Sequence, residues 1–350
     1  MKAFGEIFID KTKYGVKVQT SEYSELGEHI IIDQGQSQIA GYTDREEGLF
    51  EEVPVIVFGD HTRIIKYVDK PFFLGADGVK VLRSKDENAN YKYLYYALKN
   101  AKIPNTGYNR HFKWLKNIQI NYPAVEKQAE IVAILDKVSS VIRKREDELS
   151  VLDDLIKARF VEMFGSIHDG RFDMKTLPEI VKDDKNSIKR GPFGGALKKD
   201  DFVEEGYLVY EQRHAIHNDF EYAKYYITQE KYEDMIGFKV IPGDLIISCS
   251  GVTLGRIAEV PEDAKEGIIN QALLKLSLNP HIMKNTFFIQ QFRGEEIQDI
   301  LFGFSRGSGI PNMPSMSEVK AVKFICPPLE LQKEYCSFVR QTDKSKFSFP

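Results

Sequence analysis

The sequence has few cysteines, and they are widely separated. Its 350 residues include three, Cys249, Cys326 and Cys336, with no Cys-x-x-Cys spacing. An odd number of separated cysteines argues against a disulfide framework and against a thiolate zinc site. We therefore expect a protein of the reducing cytoplasm.

Long apolar runs are also missing from the sequence. A membrane-spanning helix needs about 18 or more consecutive apolar residues, and no such run occurs. The first residues, Met1–Gly5, lack the apolar region of a signal peptide. The sequence thus predicts a protein without a membrane partner.

Signatures of catalysis and nucleotide binding are incomplete. Gly59–Arg63 places one His beside one Asp without a third group, and Ser248–Thr253 lacks Gly-x-Ser-x-Gly spacing. Gly191–Gly195 lacks the Gly-Lys-Ser/Thr ending of a P-loop. We expect no catalytic residue, metal or cofactor in this chain, although an enzyme using His61 or Ser250 is an alternative.

Acidic residues slightly outnumber basic ones, and the net charge is −4. Most DNA-binding proteins that act alone are basic, so this balance argues against that class. Two segments are nevertheless basic: residues 99–117 hold five cations and no acid, and residues 182–199 hold six cations and two acids. Such segments can neutralise DNA phosphates or can simply be solvated faces.

An internal repeat is present. Residues 115–128 (LKNIQINYPAVEKQ) match residues 319–332 (VKAVKFICPPLELQ), 204 positions further on and without a gap. Each copy is typical of a strand that leads into Pro and then into a helix with an acid in its first turn. The repeat predicts two strand-rich domains, each followed by a helix.

The stretches upstream of the two repeat copies are similar to a lesser degree. An Ile-rich strand at residues 27–34 resembles residues 206–212, and Val55–Asp60 resembles residues 240–247. In the second pair a Gly-Asp turn adjoins a β-branched strand, as turn chemistry favours. The whole chain, and not only its helix starts, is therefore predicted to be duplicated.

The first helix is predicted to run from Val125 to Phe164, a stretch without Gly or Pro, and to end at Gly165. Apolar residues follow one another by three and four, which is typical of a coiled-coil seam. The stripe consists of Ile131, Leu135, Val138, Ile142, Leu149, Leu152, Ile156 and Met163. The second helix, beginning at Leu329, is shorter.

These features resemble the specificity (S) subunits of type I restriction-modification systems. In that family, two target recognition domains are each followed by a helix that opens with a Pro-x-x-x-Gln type sequence. The residues that carry the resemblance are Pro54–Arg63, Gly75–Gly78, Gly107–Phe112, Pro123–Gln128, Gly191–Gly195, Gly243–Ser248, Ser250–Arg256 and Pro327–Gln332.

The resemblance implies an α+β protein in which long coiled-coil spacer helices separate two α/β target recognition domains, in internal repeat. It implies recognition domain 1 over residues 1–122, a spacer helix over 123–165, recognition domain 2 over 166–326 and a shortened second spacer helix over 327–350. The shorter helix would leave the distal half of the first uncovered. Leu149, Leu152 and Ile156 are therefore predicted to be exposed and to bind a partner.

The resemblance also implies a function. The two domains would read a bipartite target in double-stranded DNA, and the helices would dock methyltransferase (M) subunits that carry S-adenosylmethionine. A restriction (R) subunit can join such a complex. The alternative is a truncated or decayed specificity subunit that acts as a coiled-coil adaptor or as a reservoir of recognition domains. The DNA sequence recognised is not evident from this chain alone.

DNA-contacting side chains are predicted in the loops that combine basic, amide and aromatic groups. Arg is the commonest specific reader of guanine, and Asn can pair with adenine. In the first domain the candidates are His61, Arg63, Tyr108, Asn109, Arg110, His111 and Lys113. In the second domain they are Lys189, Arg190, Lys198, Lys199, Gln212, Arg213, Thr253, Arg256 and Arg306, the glycines at 191–195 being expected to let backbone amides approach a phosphate.

Overall fold

A computed structural model describes residues 1–75, 77–303 and 311–347 of the chain. The chain forms two compact units, Met1–Glu146 and Asp147–Pro350, and the long helix contributes residues to both. Within the described ranges, no helix is both long and apolar enough to cross a membrane. The predicted domain boundaries at residues 122, 165 and 326 stay predictions.

The first unit combines short strands with helices. Its strands are β1 (Lys2–Ala3), β2 (Phe8–Asp10), β3 (His29–Ile32), β4 (Gly41–Thr43), β5 (Val55–Gly59), β6 (Ile65–Val68), β7 (Phe72–Leu74), β8 (Val79–Ser84) and β9 (Gln119–Ile120). Its helices are α1 (Phe4–Ile7), α2 (Tyr91–Lys99), α3 (Phe112–Leu115) and the start of α4 (Val125–Phe164), with 3-10 turns at Thr12–Tyr14 and Thr20–Glu22.

The strands of the first unit pair into three sheets. Their orders are β2-β8-β5-β6, β4-β3-β7 and β1-β9. Neighbours are antiparallel except β3 and β7, which run parallel. The central strand β5 reads VIVFG and is buried along its whole length, as a strand covered on both faces should be. Its end therefore has a fixed position, from which the following loop emerges.

The second unit is built from the same kinds of elements. Its strands are β10 (Met174–Thr176), β11 (Ile188–Arg190), β12 (Tyr207–Tyr210), β13 (Tyr226–Ile227), β14 (Lys239–Val240), β15 (Leu245–Ser248), β16 (Ile257–Glu259), β17 (Gly267–Ile269), β18 (Leu273–Leu276) and β19 (Lys323–Ile325). Its helices are α5 (Leu177–Ile180), α6 (Gln212–His217), α7 (Gln229–Asp234), α8 (Asn285–Arg293), α9 (Glu295–Phe302), α10 (Met316–Ala321) and α11 (Leu329–Phe347), with 3-10 turns at Gly194–Ala196, Lys199–Asp201 and Ile236–Phe238.

The sheets of the second unit repeat those of the first. Their orders are β11-β18-β15-β16, β13-β12-β17-β14 and β10-β19. Strands β12 and β17 run parallel, as β3 and β7 do. The matching strands also follow the same order along the chain, and β14 is an addition in the second unit. The predicted α+β class and internal repeat are therefore confirmed.

A glutamine explains why Pro and Gln recur at both helix starts. The Gln128 side-chain amide donates to the Pro123 carbonyl at 2.9 Å, and Gln332 donates to the Pro327 carbonyl at 2.8 Å. Both glutamines are fully buried. Each amide bonds the carbonyl five residues back and fixes the turn from strand into helix, so the match at these positions reflects a shared local structure.

The strand predicted before each helix is shorter than expected. Leu115 lies in helix α3 and Val319 in helix α10, and the strands begin only at Gln119 and Lys323. Each strand pairs antiparallel with the strand that opens its unit. An alternating apolar pattern over four residues does not separate a strand from one helical turn, which accounts for the error.

The long helix begins and ends where the sequence predicts, and Gly165 follows it with φ +68°. The prediction for Ile156 is wrong, because this side chain is only 3% exposed. Tyr335 of α11 packs there, and its hydroxyl donates to the Ile156 carbonyl at 3.2 Å. Leu149 and Leu152 are half-buried. The coiled-coil pairing of the spacer stays a prediction.

Candidate nucleic-acid interface

Gln34 organises a group of loops at the end of strand β5. Its Oε1 accepts the His61 amide N–H at 3.1 Å, and its Nε2 donates to the Asp77 carbonyl at 3.0 Å. The Thr62 hydroxyl donates to the Gln34 carbonyl at 2.7 Å. These contacts join three loops, and residues 103–111 are tied to them through bonds to Arg63 and Asp60. We call the whole the first loop cluster: Gln34, residues 60–63, Asp77, Gly78 and residues 103–111.

Two aromatic rings are stacked on the outside of the first loop cluster. The rings of His61 and Tyr108 lie 4.8 Å apart at an interplanar angle of 10°. Tyr108 is 88% exposed. The His61 Nδ1 atom is buried without a hydrogen-bond partner among the described residues. The exposed Tyr108 ring, stacked on the half-buried His61, suits contact with a base better than packing in a core.

His111 lies in the interior, contrary to the prediction that it contacts DNA. Its ring is 0% exposed. Nδ1 lies 3.0 Å from the Asp60 carbonyl, and Nε2 lies 3.3 Å from the Thr106 hydroxyl. The basic residues around His111 in the sequence made it look like a surface cation. A histidine can equally be a buried ring that forms hydrogen bonds. The residue therefore holds the segment that carries Tyr108 against the loop after β5.

The cations in and next to the first loop cluster differ in how much of each side chain is exposed to solvent. Arg110 and Lys113 are exposed, as is Asn109. Arg63 is half-buried with φ +62°, and its Nη1 donates to the Ile103 carbonyl at 3.3 Å. The Lys17 ammonium paired with Asp77, helped by the more distant Arg110, holds the pKa of that carboxyl below its ordinary value. Arg110 and Lys113 are therefore more accessible to a ligand than Arg63.

The second unit has a corresponding group of loops at the end of β15. Gln212 follows β12 as Gln34 follows β3, and its Oε1 accepts the Ser250 amide N–H at 3.4 Å. Its Nε2 donates to the Ser250 hydroxyl at 3.2 Å. Gln212 therefore holds the loop after β15 from inside the unit. The weak similarity of residues 27–34 to 206–212 contains the signal for Gln34, which the sequence reasoning missed.

A cavity of about 330 Å³ opens beside this loop. Its walls include Arg190, Phe193, Leu197, Ser250, Gln271 and Asn312. The Arg190 Nη2 donates to the Asn312 Oδ1 at 3.1 Å, and its guanidinium carbon lies 5.5 Å from the Phe193 ring centroid. We call these residues the second loop cluster. Phe193, Ser250 and Asn312 were not among the predicted site residues.

The glycine loop at the edge of the cavity does not form the predicted phosphate cradle at its start. A Cβ on Gly191 would lie 1.8 Å from the Asn270 carbonyl oxygen, so close backbone packing requires glycine there. The Gly191 N–H already donates to the Leu273 carbonyl at 2.8 Å, and Pro192 has no N–H. Neither Gly191 nor Pro192 therefore has a backbone N–H available to bind a phosphate.

The remaining predicted residues of the second unit are scattered over its surface. Lys198, Lys199, Arg213 and Arg256 are exposed, and Thr253 is half-buried. The Lys189 ammonium lies 4.7 Å from the Phe238 ring centroid. Arg213 pairs with Asp219 at 3.5 Å. Arg306 lies outside the described residues, and DNA contact by these side chains stays a prediction.

Two side chains of the segments considered for catalysis, Asp60 and Cys249, are buried. The Asp60 carboxylate accepts the Phe112 N–H at 2.7 Å and is buried. Burial raises the pKa of the Cys249 thiol to about 12, against the opposing effect of Arg190, so this thiol is protonated at neutral pH. Within residues 1–75, 77–303 and 311–347, no group of His, Cys, Asp or Glu side chains is suited to hold a metal ion.

Comparison with known proteins connects this geometry to a family. The model of the type I restriction modification DNA specificity domain matches residues 9–151 and 192–348, once in each half of the repeat. The chain belongs to this specificity-domain family. Both matches include the loop after the central strand and the start of the following helix, so the two loop clusters occupy corresponding places in two specificity domains.

Individual relatives agree with the family match. The specificity subunit of the type I restriction enzyme EcoR124I/EcoR124II from Escherichia coli is 29% identical over 193 residues, which are 51% of this chain and 47% of that subunit. The match thus spans about half the length of the curated relative. The S subunit of a type I restriction-modification system from M. genitalium shares the fold, with a TM-score of 0.55 and 17% identity over 99% of this chain and 89% of that one.

Replacing Gln34 with Ala is expected to loosen the loop after β5 without unfolding the specificity domain. The substitution removes the acceptor of the His61 N–H, and one such hydrogen bond contributes about 0.5–1.5 kcal/mol. Hydrogen exchange at the His61 amide should accelerate by about 3- to 10-fold. Gln38→Ala, which removes the 2.8 Å bond from the Gln38 amide to the Tyr67 carbonyl, is the matched control and should leave the His61 amide unchanged.

Proposed function

We propose that this chain is the DNA-reading specificity subunit of a type I restriction-modification complex. Each unit reads one half of a bipartite double-stranded target through its loop cluster. The proposal depends chiefly on one observation: a single specificity-domain model matches the chain twice, in two units whose sheets share one strand order apart from the added β14. Two similar readers joined in one chain suit a target with two separate parts.

The loop clusters support DNA contact through their chemistry. Each combines cations with an exposed aromatic ring: Arg110 with Tyr108 in the first unit, and Arg190 with Phe193 in the second. Cations set affinity through the phosphates, and planar or bidentate groups distinguish bases. A half-buried glutamine bonds these loops in both units, Gln34 in the first and Gln212 in the second, and the first unit adds the buried His111, which preorganises the surface before DNA arrives.

The chain itself is proposed to be non-catalytic. Methyltransferase subunits would dock on the helices, bring S-adenosylmethionine and perform the chemistry, and a restriction subunit could join them in the cytoplasm. The net charge of −4 fits a reader whose partners supply part of the surface around the DNA.

A selection experiment tests the proposal. The purified chain, bound to the methyltransferase subunit of its system, is presented with a random duplex library. The proposal predicts enrichment of two specified runs of base pairs separated by a fixed unspecified spacer. Enrichment of no sequence, with the complex intact, contradicts DNA reading and favours the adaptor or reservoir alternative.

Leu149 and Leu152 are proposed as docking residues on helix α4, while Ile156 is excluded because it is buried in the core of the second unit. The double change Leu149→Asp and Leu152→Asp should reduce co-purification with the methyltransferase subunit by at least about 10-fold, because two charges would replace apolar contact. Val151, an exposed residue about 100° round the helix from Leu152, provides the control Val151→Asp. Equal co-purification of the double variant and the control would count against this docking surface.

A further inference from the structure

We infer that Arg190 is a base-reading residue of the second unit and that it recognises the N7 and O6 edge of a guanine. The inference rests on the proposed function and assigns one side chain to one kind of base. Arg190 is the last residue of strand β11, beside the central pair β18 and β15. Its backbone is therefore fixed by a sheet, unlike that of a cation in a loop.

The Arg190 guanidinium uses only some of its hydrogen-bond donors to hold its position. Nη2 donates to the Asn312 Oδ1 at 3.1 Å. The Nε atom is buried and has no hydrogen-bond partner among the described residues. A guanidinium has five N–H donors in a planar fork, and an unused buried donor costs about 1–3 kcal/mol. Because Nε is buried, the donors left for an incoming base are the Nη N–H groups that Asn312 does not use.

The surroundings of Arg190 favour a base over a phosphate. Phe193 is 69% exposed, and its ring lies 5.5 Å from the Arg190 guanidinium carbon. An exposed ring beside a cation provides a surface for a base or a thymine methyl group, which a phosphate contact does not need. The nearest backbone amides are also closed, because Gly191 already donates to Leu273 and Pro192 has none to give.

A planar fork of N–H donors is best matched by an acceptor that offers two oxygen or nitrogen atoms side by side. Among the base edges of the major groove, guanine presents N7 and O6 in this arrangement, and a bidentate Arg contact there distinguishes it from the other bases. The Asn312 Oδ1 accepts both Arg190 and the Met313 N–H at 3.0 Å. This shared oxygen fixes the orientation of the fork toward the cavity before the base arrives.

The test repeats the duplex selection with the intact complex and three variants. Arg190→Lys keeps the charge but loses the fork, and Arg190→Ala loses both. Each should reduce preference for guanine at one position of one run by about 5- to 150-fold, while the other run stays specified. Lys199→Ala, which removes an exposed cation of the same region, should weaken binding equally for all sequences and lower the salt dependence.

The outcomes separate this inference from the proposed function. If the unsubstituted chain enriches a two-run motif and both Arg190 variants enrich the same motif, base reading by Arg190 is overturned while the proposed function stands. Uniform weakening by Arg190→Lys would assign the residue to a phosphate and also overturn it. Loss of preference at an A·T position would exclude guanine. Enrichment of nothing by the unsubstituted chain overturns both.

Discussion

Replacing Tyr335 with Ala should destabilise the second unit by about 3–5 kcal/mol, the usual cost of deleting a large aromatic side chain from a core. Tyr335 is 0% exposed. Its ring lies 5.5 Å from that of Phe160, 5.6 Å from Phe164 and 6.2 Å from Phe287, all edge to face. The substitution removes the contact by which α11 and the end of α4 pack together with α8.

Two probes make this measurement specific to the second unit. Trp114 is the only tryptophan of the chain and lies in the first unit. In a denaturant titration of the full chain, tryptophan fluorescence should be unaffected, while circular dichroism should show an earlier transition for the second unit. Tyr335→Phe keeps the ring and loses only the bond to the Ile156 carbonyl, so it should cost about 0.5–1.5 kcal/mol. A loss below about 1 kcal/mol for Tyr335→Ala would contradict the packing described.

His111→Ala should abolish reading of one half-site while leaving the other half intact. The imidazole bonds the Asp60 carbonyl and Thr106 from a fully buried position. Its removal leaves a cavity and unpaired polar groups, at a local cost of about 2–4 kcal/mol. Tyr108 and Arg110 would then lose their fixed position relative to the loop after β5. His111 is thus a positioning residue and not a DNA contact.

The duplex selection distinguishes this role from general destabilisation. His111→Ala should lose base preference at several positions of a single run while the first unit is still folded in the binding buffer, which Trp114 fluorescence without denaturant reports. His111→Gln retains an amide that can reach Thr106 and should restore part of the preference. Loss of specificity in both runs by a folded His111→Ala chain would contradict separate reading by the two units.

Much of the architecture could be predicted because it depends on local patterns. The long helix follows from the absence of Gly and Pro between Val125 and Phe164 and ends at Gly165 as expected. The matched Pro and Gln at the two helix starts point to a common local structure, which proves to be the bond from glutamine to the proline carbonyl. Strands β5 and β15 are visible as short β-branched runs.

The errors concern contacts between segments that are distant in sequence. Ile156 was predicted to be exposed because the sequence does not show that the end of α4 joins the core that contains Tyr335. His111 was assigned to the surface because its basic neighbours are exposed, although its ring bonds a loop about 50 residues earlier. The two Gly-Asp turns compared in the sequence lie at opposite ends of the matching strands, Gly59 closing β5 and Gly243 preceding β15.

The missed residues of the site have the same explanation. Phe193 and Asn312 can be recognised as site residues only from their contacts with Arg190. Phe193 is near Arg190 in the sequence and Asn312 is far from it, so no single sequence pattern joins the three residues. Gln34 had a signal, because it occupies the same place after its strand as Gln212. Its role also depends on the loop after β5, which lies in a different sheet from β3, and the sequence does not show that the two meet.

The most direct test of two-part DNA reading is the methylation pattern that the chain directs in a cell. The chain and the methyltransferase subunit of its system are expressed in a host without DNA methylation of its own, and the genome is sequenced for modified bases. The account predicts methylation in one split motif, with two specified runs separated by a constant number of unspecified base pairs. Methylation at a single uninterrupted motif, or at none while the complex is intact, would contradict it.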